Sequence, residues 1–590
     1  MKARQNKSSR QLSKRPNRLP RAPASSLPAW RQILNSTWTK GFILVAIAVV
    51  VYLAVLHAGF IWDDNEHLTG NPCIVGPLGF KDIWTASQSY YYPLVLTSFW
   101  ILHKFVDLNP LPYHLLTVFM HAGSAVLLWR LLQRLGVKAA WLGAALWALH
   151  PVMVQSVAWI TELKNTQSCF LYLLSILFFL KASDVDEALH QRRWRFAISL
   201  LFFAMAITSK SATVMLPVVL GLCLWWRNGR VSRRDLVQLL PFFLISVVAS
   251  AWTIWEQKFH SGALGVEWSQ TLPERFAIAG WDIWFYLGKL IWPSGLSFFY
   301  PQWKIDTGKL STFLPLVGAI GGLFFLWYAR NGRLRPLFVA AFYFVVSLFP
   351  VLGFFNVYFF RFSFVSDHFQ YLAAMGPLAL AATGIAELGQ SIAKGKSWLQ
   401  SVLGGALLLI LGILSWHQAN YYTDAETLYR MSIDRNPKSW VAYTNLGAVF
   451  LQRRQLDEAI SYCQRALEIK PDAPETQYNL GNCFLAKGDF ALAIGPYRTA
   501  LRTEPGNVRT HNNLAACLAG IGRIEQALEE WREAIRVDPN FAESHFNLGY
   551  VLMQVGHRDE AAKQLIEAIR LKPDYAIARE KLRELGVPGF

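Results

Sequence analysis

Five prolines in the C-terminal part of this 590-residue chain stand at one fixed interval: Pro437, Pro471, Pro505, Pro539 and Pro573, each 34 residues from the next. The same interval relates Asn445-Leu446-Gly447, Asn479-Leu480-Gly481, Asn513-Leu514-Ala515 and Asn547-Leu548-Gly549. It also relates Ala459, Ala493, Ala527 and Ala561, and again Ala466, Ala500, Ala534 and Ala568. A period of this length marks a stack of helix pairs, each unit too small to bury its apolar face alone. Small residues at the alanine positions let paired helices approach closely, and each proline ends a second helix and turns the chain.

These residues identify the tetratricopeptide repeat. Four repeats run from about 440 to 575, with a helical lead-in from about 421 and a cap ending near Gly586. The resemblance implies a superhelix whose concave groove binds extended peptides or partner proteins. An array that only stabilises the rest of the chain is the alternative. Nothing in the repeats resembles catalytic machinery.

The remainder of the chain is of a different kind. Residues 421 to 590 hold 21 basic and 22 acidic residues, roughly a quarter of the segment, as in ordinary soluble proteins. Residues 1 to 420 are charged at only about one position in eight, with 36 basic against 17 acidic. All the excess positive charge therefore lies in the apolar part, the distribution of a membrane domain and not of a nucleic-acid binder. The six cysteines, Cys73, Cys169, Cys223, Cys463, Cys483 and Cys517, form no CxxC pair, so neither a disulfide framework nor a structural zinc is expected.

Residues 1–40 contain ten Lys/Arg and no acid, which reads as a disordered basic cytoplasmic tail. Gly41 to Trp62 then runs 22 residues without a formal charge, long enough to cross ~30 Å of hydrocarbon as an uncleaved first span. Ten further spans are predicted at about 111–131, 139–152, 166–181, 196–209, 213–226, 237–255, 312–328, 336–355, 371–388 and 398–416. With a cytoplasmic N-terminus, the basic clusters Arg130 to Lys138, Arg192 to Arg195, Arg227 to Arg234, Arg330 to Arg335 and Lys394 with Lys396 all fall on the inner side, as the positive-inside rule requires. Eleven spans place the C-terminal half outside. Ala277 to Trp292 carries Asp282 and Lys289 among aromatic residues and reads as a helix lying at the outer interface. The expected architecture is all-α: a tail (1–40), a polytopic helical membrane domain (41–417) and a tetratricopeptide α-solenoid (418–590).

Ionisable residues near a bilayer are costly and usually functional. On the outer side, Asp63 and Asp64 follow the first span directly; adjacent carboxylates at an apolar boundary keep one pKa raised, which suits a base, a metal ligand or a clamp. The same face receives His150, Glu162, Lys164, Lys210, Arg361, Asp367 and His368. Lysines there suit an anionic phosphate and carboxylates the activation of a hydroxyl. Taken singly, His150 before Pro151 also suits a helix cap, Glu162 and Lys164 a local pair, and Lys210 a snorkelling side chain.

At these residues the chain resembles the C-type (GT-C) glycosyltransferases, most closely the branch fused to tetratricopeptide repeats, with its transmembrane O-mannosyltransferases and bacterial relatives. The matching pieces are Trp62-Asp63-Asp64, Ser89-Tyr90-Tyr91-Tyr92-Pro93-Leu94, Tyr113-His114-Leu115-Leu116, Leu149-His150-Pro151-Val152 through Glu162, Thr208-Ser209-Lys210, Tyr286-Leu287-Gly288-Lys289 with Trp292-Pro293, and Ser366-Asp367-His368 with Tyr371-Leu372. The resemblance implies transfer of a sugar from a polyprenyl-phosphate donor to an acceptor hydroxyl, Ser/Thr of exported proteins, on the non-cytoplasmic face, with inversion by one direct displacement. It implies Asp63 as the base, Asp64 as an accessory carboxylate, and Lys210, with Lys164 or His368, as partners of the donor phosphate. Where some relatives have Asp-Arg-Tyr this chain has Asp367-His368-Phe369, which leaves Arg361 as the arginine for that contact. Two acids permit a divalent cation without demanding one. The implied location is a multi-pass membrane protein, of the inner membrane if bacterial, with a cytoplasmic N-terminus and a periplasmic or luminal array whose groove takes the protein acceptor. A membrane-tethered scaffold without catalysis, and a transporter of lipid-linked sugars, are the competing readings.

Overall fold

The computed structural model describes residues 36–589 apart from 86–91, 185–187, 260, 264 and 394–396. Most of the basic tail, Ser89 to Tyr91, and Lys394 with Lys396 thus lie outside the described residues. Among the described residues the fold is all-helical. The first half contains α1 (Thr37–Val51), α2 (Phe80–Thr85), α3 (Pro93–Val106), α4 (Pro110–Arg134), α5 (Ala140–Leu149), α6 (Val154–Ala158), α7 (Leu163–Ala182), α8 (Leu189–Ser209), α9 (Leu216–Asn228), α10 (Arg233–Phe259), α11 (Leu272–Ile291), α12 (Leu314–Tyr328), α13 (Arg335–Leu348), α14 (Met375–Ala393) and α15 (Ser397–Ala419). Among the described residues, five helical segments, Pro110–Arg134, Ile160–Ala182, Arg233–Phe259, Leu310–Tyr328 and Ser401–Tyr422, are long and apolar enough to cross a membrane. A sixth would be the α5–α6 pair, bent by 56°.

Each of the eleven apolar runs carries a helix, with two differences in shape. The first run is not one continuous span: α1 stops at Val51, and a 3-10 turn, Leu53–His57, leads into the extended residues before Asp63. The third breaks at His150-Pro151, where proline cannot continue the ladder and its ring restricts the residue before it. The short apolar helix α3, whose 14 residues include His103 and Lys104 in the last turn, was not among the predicted spans. In α11, Trp281 and Trp284 are exposed as an interfacial helix requires, yet Asp282 points inward and is fully buried.

The second half stacks α16 (Ala425–Arg435), α17 (Trp440–Gln452), α18 (Leu456–Ile469), α19 (Pro474–Lys487), α20 (Phe490–Thr503), α21 (Val508–Gly520), α22 (Ile524–Val537), α23 (Ala542–Gln554), α24 (Arg558–Leu571) and α25 (Ala576–Glu584). Each periodic proline stands two residues past the end of α16, α18, α20, α22 or α24. The turn inside each pair needs a left-handed residue. Gly488, Gly522 and Gly556 supply it with φ of 86°, 80° and 90°, whereas the first pair uses Arg454 at φ 61°. One hydrophobic core runs without interruption from Leu44 in α1 through the membrane helices into the first repeats, ending at Cys483; a separate core begins at Ala493. Backbone and side-chain bonds reinforce that junction: Gly59 N–H donates to Thr423 O at 3.0 Å and Asn436 Nδ2 to Phe299 O at 3.2 Å.

Close approach within a repeat is tightest at Gly481, where an added Cβ would lie 2.6 Å from the ring of Tyr497, itself fully buried. Gly481→Ala is therefore expected to destabilise the array by about 1–3 kcal/mol through overpacking, read as a lower Tm of the full chain in detergent.

Candidate active site

The segment after α1 delivers two adjacent carboxylates to different places. Trp62 sits in the left-handed region at φ 43°, a costly conformation for a bulky residue. Its ring stacks on Trp159 at 5.4 Å and meets Phe298 and Phe299 edge-on at 5.0 Å each. Asp64 is then fully buried: Oδ2 accepts from Ile61 N–H at 2.8 Å, and Oδ1 from Thr161 N–H at 2.8 Å and Thr161 Oγ1 at 2.5 Å. Burial, with Asp63 adding, raises its pKa to about 7 against the pull of these bonds. Asp63 instead lines a cavity of ≈ 540 Å³. Its Oδ2 lies 3.1 Å from His67 Nε2, while Oδ1 has no hydrogen-bond partner. His67 in turn meets the Tyr92 hydroxyl at 2.7 Å through Nδ1.

The same cavity contains the cationic group. Glu162 is fully buried, with Lys164 Nζ 3.1 Å from Oε1 and Lys210 Nζ 3.1 Å from Oε2. Asn165 Nδ2 donates to Oε2 at 2.5 Å and to the backbone oxygen of His368 at 2.9 Å. His368 Nε2 stands 4.0 Å from Glu162 Oε1, and burial pushes the imidazole pKa down to about 3, leaving it neutral. Burial also lowers the Lys210 pKa to about 8, with Glu162 opposing and Lys164 assisting. Two ammonium groups against one carboxylate leave this node with one net positive charge.

Besides Asp64, three of the sequence candidates lie away from the cavity lining. His150 accepts from Val152 N–H at 3.4 Å through Nδ1 and places Nε2 3.1 Å from Leu290 O, so both ring nitrogens serve the α5–α6 bend and its contact with α11. Arg361 is engaged by Glu267 Oε2 at 3.1 Å and Glu475 Oε1 at 2.8 Å, tying a loop of the first half to the repeats. Asp367 accepts from the Tyr300 hydroxyl at 3.0 Å and 3.1 Å, and burial raises its pKa to about 7. Asp63, Glu162, Lys164, Lys210 and His368 are brought together; Asp64 supports them from behind.

Sequence reasoning missed His67, Trp159 and the wall contributed by Trp440, Thr444, Asn445 and Glu475 of the repeats. His67 had a readable signal, since a helical turn after Asp63 puts residue i+4 over its carboxylate. Among the described residues no group of three or more His, Cys, Asp or Glu gathers as a metal site would. Both oxygens of Asp64 accept hydrogen bonds from Ile61 and Thr161.

Fold and site define a helical multi-pass membrane protein joined to tetratricopeptide repeats. Family models described as tetratricopeptide repeat match residues 440–503 and 542–575, and one described as TPR repeat matches 518–556. The chain is similar to protein O-mannosyl-transferase TMTC4 of Homo sapiens, 22% identical over 509 residues, covering 75% of this chain and 66% of that protein. It is similar also to TMTC3 of Mus musculus, 20% identical over 481 residues, covering 73% of this chain and 51% of that one. Tmtc1 of Drosophila melanogaster is 29% identical over 195 residues, covering 30% of this chain and 22% of its own length. The chain thus spans between about a fifth and two thirds of these relatives, and the resemblance to repeat-fused O-mannosyl-transferases extends over most of it. Solved structures similar to it include YrrB, a TPR protein with an unusual peptide-binding site (20% identity, 33% of this chain, 96% of that chain, TM-score 0.25), and MamA (19%, 27%, 94%, 0.25).

Asp64 and Asp367 both have folded pKa values near 7, raised by burial from 3.8. A raised carboxylate contributes stability that is complete below pH 3.8 and is lost as pH rises through 7. The Tm of the full chain should fall across that window, and Asp367→Asn should flatten part of the slope in a pH series of thermal unfolding.

Proposed function

We propose that this chain transfers a sugar, from a polyprenyl-phosphate donor, to a Ser/Thr hydroxyl of an exported protein on the non-cytoplasmic face. The observation that carries the reading is one cavity holding a carboxylate oxygen without a partner, Asp63 Oδ1, together with a cationic node of Lys164, Lys210 and Glu162. The names of the relatives support sugar transfer in general, and the residues supply the steps.

The donor phosphate sits against Lys164 and Lys210, whose single surplus charge matches a phosphodiester's single negative charge. A lipid-borne donor meets the site from the bilayer, its head group at the interface. The acceptor hydroxyl donates to Asp63 Oδ1. As its oxygen forms the new bond to the anomeric carbon, the proton passes to Asp63, the bond from that carbon to the phosphate oxygen breaks, and the electron pair leaves with the phosphate. One displacement inverts the centre. The lysines stabilise the leaving phosphate as its charge grows, in a site lined by Trp62, Trp159, Phe359 and Phe362 that limits water. His67 holds the carboxylate in place through Oδ2.

Asp63→Asn is expected to lower transfer in isolated membranes by at least about 10²-fold while leaving expression and Tm near wild type; unchanged transfer would sink the assignment. Raising pH above about 8 should weaken donor binding as Lys210 loses its proton, and Lys210→Arg should move that loss to higher pH, read as donor KM against pH. A cysteine placed at the array surface, Lys563→Cys, should react with a membrane-impermeant maleimide in sealed membranes whose non-cytoplasmic face is outward and be protected in sealed membranes of the opposite sidedness; the reverse pattern would reverse the orientation.

A further inference from the structure

The repeats do more than stand beside this cavity. Trp440, Val441, Thr444 and Asn445 on α17 and Glu475 on α19 are part of its wall, opposite in sequence but not in space to Asp63. The wall is held by a charge clasp: Arg361 bridges Glu267 and Glu475, and Lys470 pairs with Glu267 from the repeat side. Phe362 packs on Trp440 at 5.9 Å, and the Lys470 ammonium stands 4.5 Å above that indole. The uninterrupted core beneath makes α17 as much a part of the first half as of the array.

The polar atoms of this wall divide into satisfied and unsatisfied. Thr444 Oγ1 is engaged by Trp440 O at 3.0 Å and Thr476 Oγ1 at 2.5 Å. Asn445 Nδ2, a donor, and Glu475 Oε2, an acceptor, are shielded from solvent and have no hydrogen-bond partner. Buried polar groups are rarely left unpaired without a ligand or water to complete them. One free donor and one free acceptor on adjacent helices are the complement of a peptide unit, which offers one C=O and one N–H. Asp63 Oδ1, also without a hydrogen-bond partner, complements a hydroxyl.

We infer that the first helices of the first two repeats, α17 and α19, are the acceptor wall of the active site, and that Asn445 Nδ2 and Glu475 Oε2 bind the backbone of an extended polypeptide whose Ser/Thr hydroxyl reaches Asp63. This rests on the transferase reading above. Asn445 is a specificity residue: it touches the acceptor and leaves the donor alone.

The test uses the full chain in membranes with a lipid-phosphate-linked mannose donor, a Ser/Thr-containing peptide, and the same peptide with single backbone amides replaced by esters. Wild type should discriminate against one ester position about tenfold in kcat/KM, the effect of losing one hydrogen bond. Glu475→Ala, which removes the acceptor for the peptide N–H that an ester lacks, should abolish the ester discrimination; Asn445→Ala, which removes the donor to the peptide C=O, should raise KM for the amide peptide about tenfold. Asn445→Asp, of the same shape with an acceptor in place of the donor, should behave likewise and guards against a folding defect of the alanine variant. Wild-type KM in both Asn445 variants together with undiminished ester discrimination in Glu475→Ala would overturn the acceptor wall. Neither transfer nor donor hydrolysis by wild type would instead overturn the transferase reading, and the wall with it.

Discussion

A carboxylate with no access to water is tolerable only with cations and donors against it, and Glu162 is such a group. Meeting that requirement fixes three separate elements. Lys164 comes from the start of α7, Lys210 from the residue after α8, and Asn165 carries the contact onward to the backbone of His368. Removing Glu162 would leave two neighbouring ammonium groups uncompensated in the protein interior, so the node is a rigid reference point for the cavity wall. Its surplus cation exists because the structure must neutralise one buried anion and supplies two bases to do it.

The continuous core extends this dependence to the array. Composition changes sharply near residue 418, but hydrophobic packing does not divide until after Cys483. Composition reports which residues face lipid or water; it carries no information about which helices share a buried face. The first repeat therefore looks soluble in sequence while packing as part of the apolar half. A solenoid can be cut between repeats at little cost only where neighbours meet through a repeat-to-repeat interface. At α16 and α17 the neighbour is the wall of the site.

What was readable in the sequence was periodic or one-dimensional. Proline spacing marked the ends of α16, α18, α20, α22 and α24, each two residues before its proline, because a missing N–H acts locally. Apolar runs located the helices of the first half, because burial in lipid needs length. The candidate residues divided according to how far away their partners lie. Glu162 with Lys164 was visible as a local pair, and His150 as a cap at its proline. Arg361 looked free for a phosphate because Glu267 and Glu475 lie about a hundred residues away on either side, and nothing in its own neighbourhood announces them. Asp367 looked like a site residue for the same reason, with Tyr300 hidden in another loop.

The pair Asp63-Asp64 shows what sequence adjacency hides. Two neighbouring carboxylates on a regular helix would diverge by roughly 100°, and on a strand by about 180°, each leaving both side chains in comparable surroundings at a membrane surface. Here the left-handed turn at Trp62 drives that indole into a nest of aromatic rings and re-aims the two residues after it. Asp64 is turned back onto Thr161 and Ile61, where it locks the segment to the 3-10 turn before α7, at the residue next to Glu162 of the cationic node. Asp63 is left facing the cavity with one oxygen held by His67 and one open. The strain at Trp62 is thus balanced by the bonds of Asp64, and the result is a base whose position is set by its neighbour's burial. The dyad works as one anchored group and one reactive group, which is why exchanging their roles would require a different backbone and not merely a different side chain.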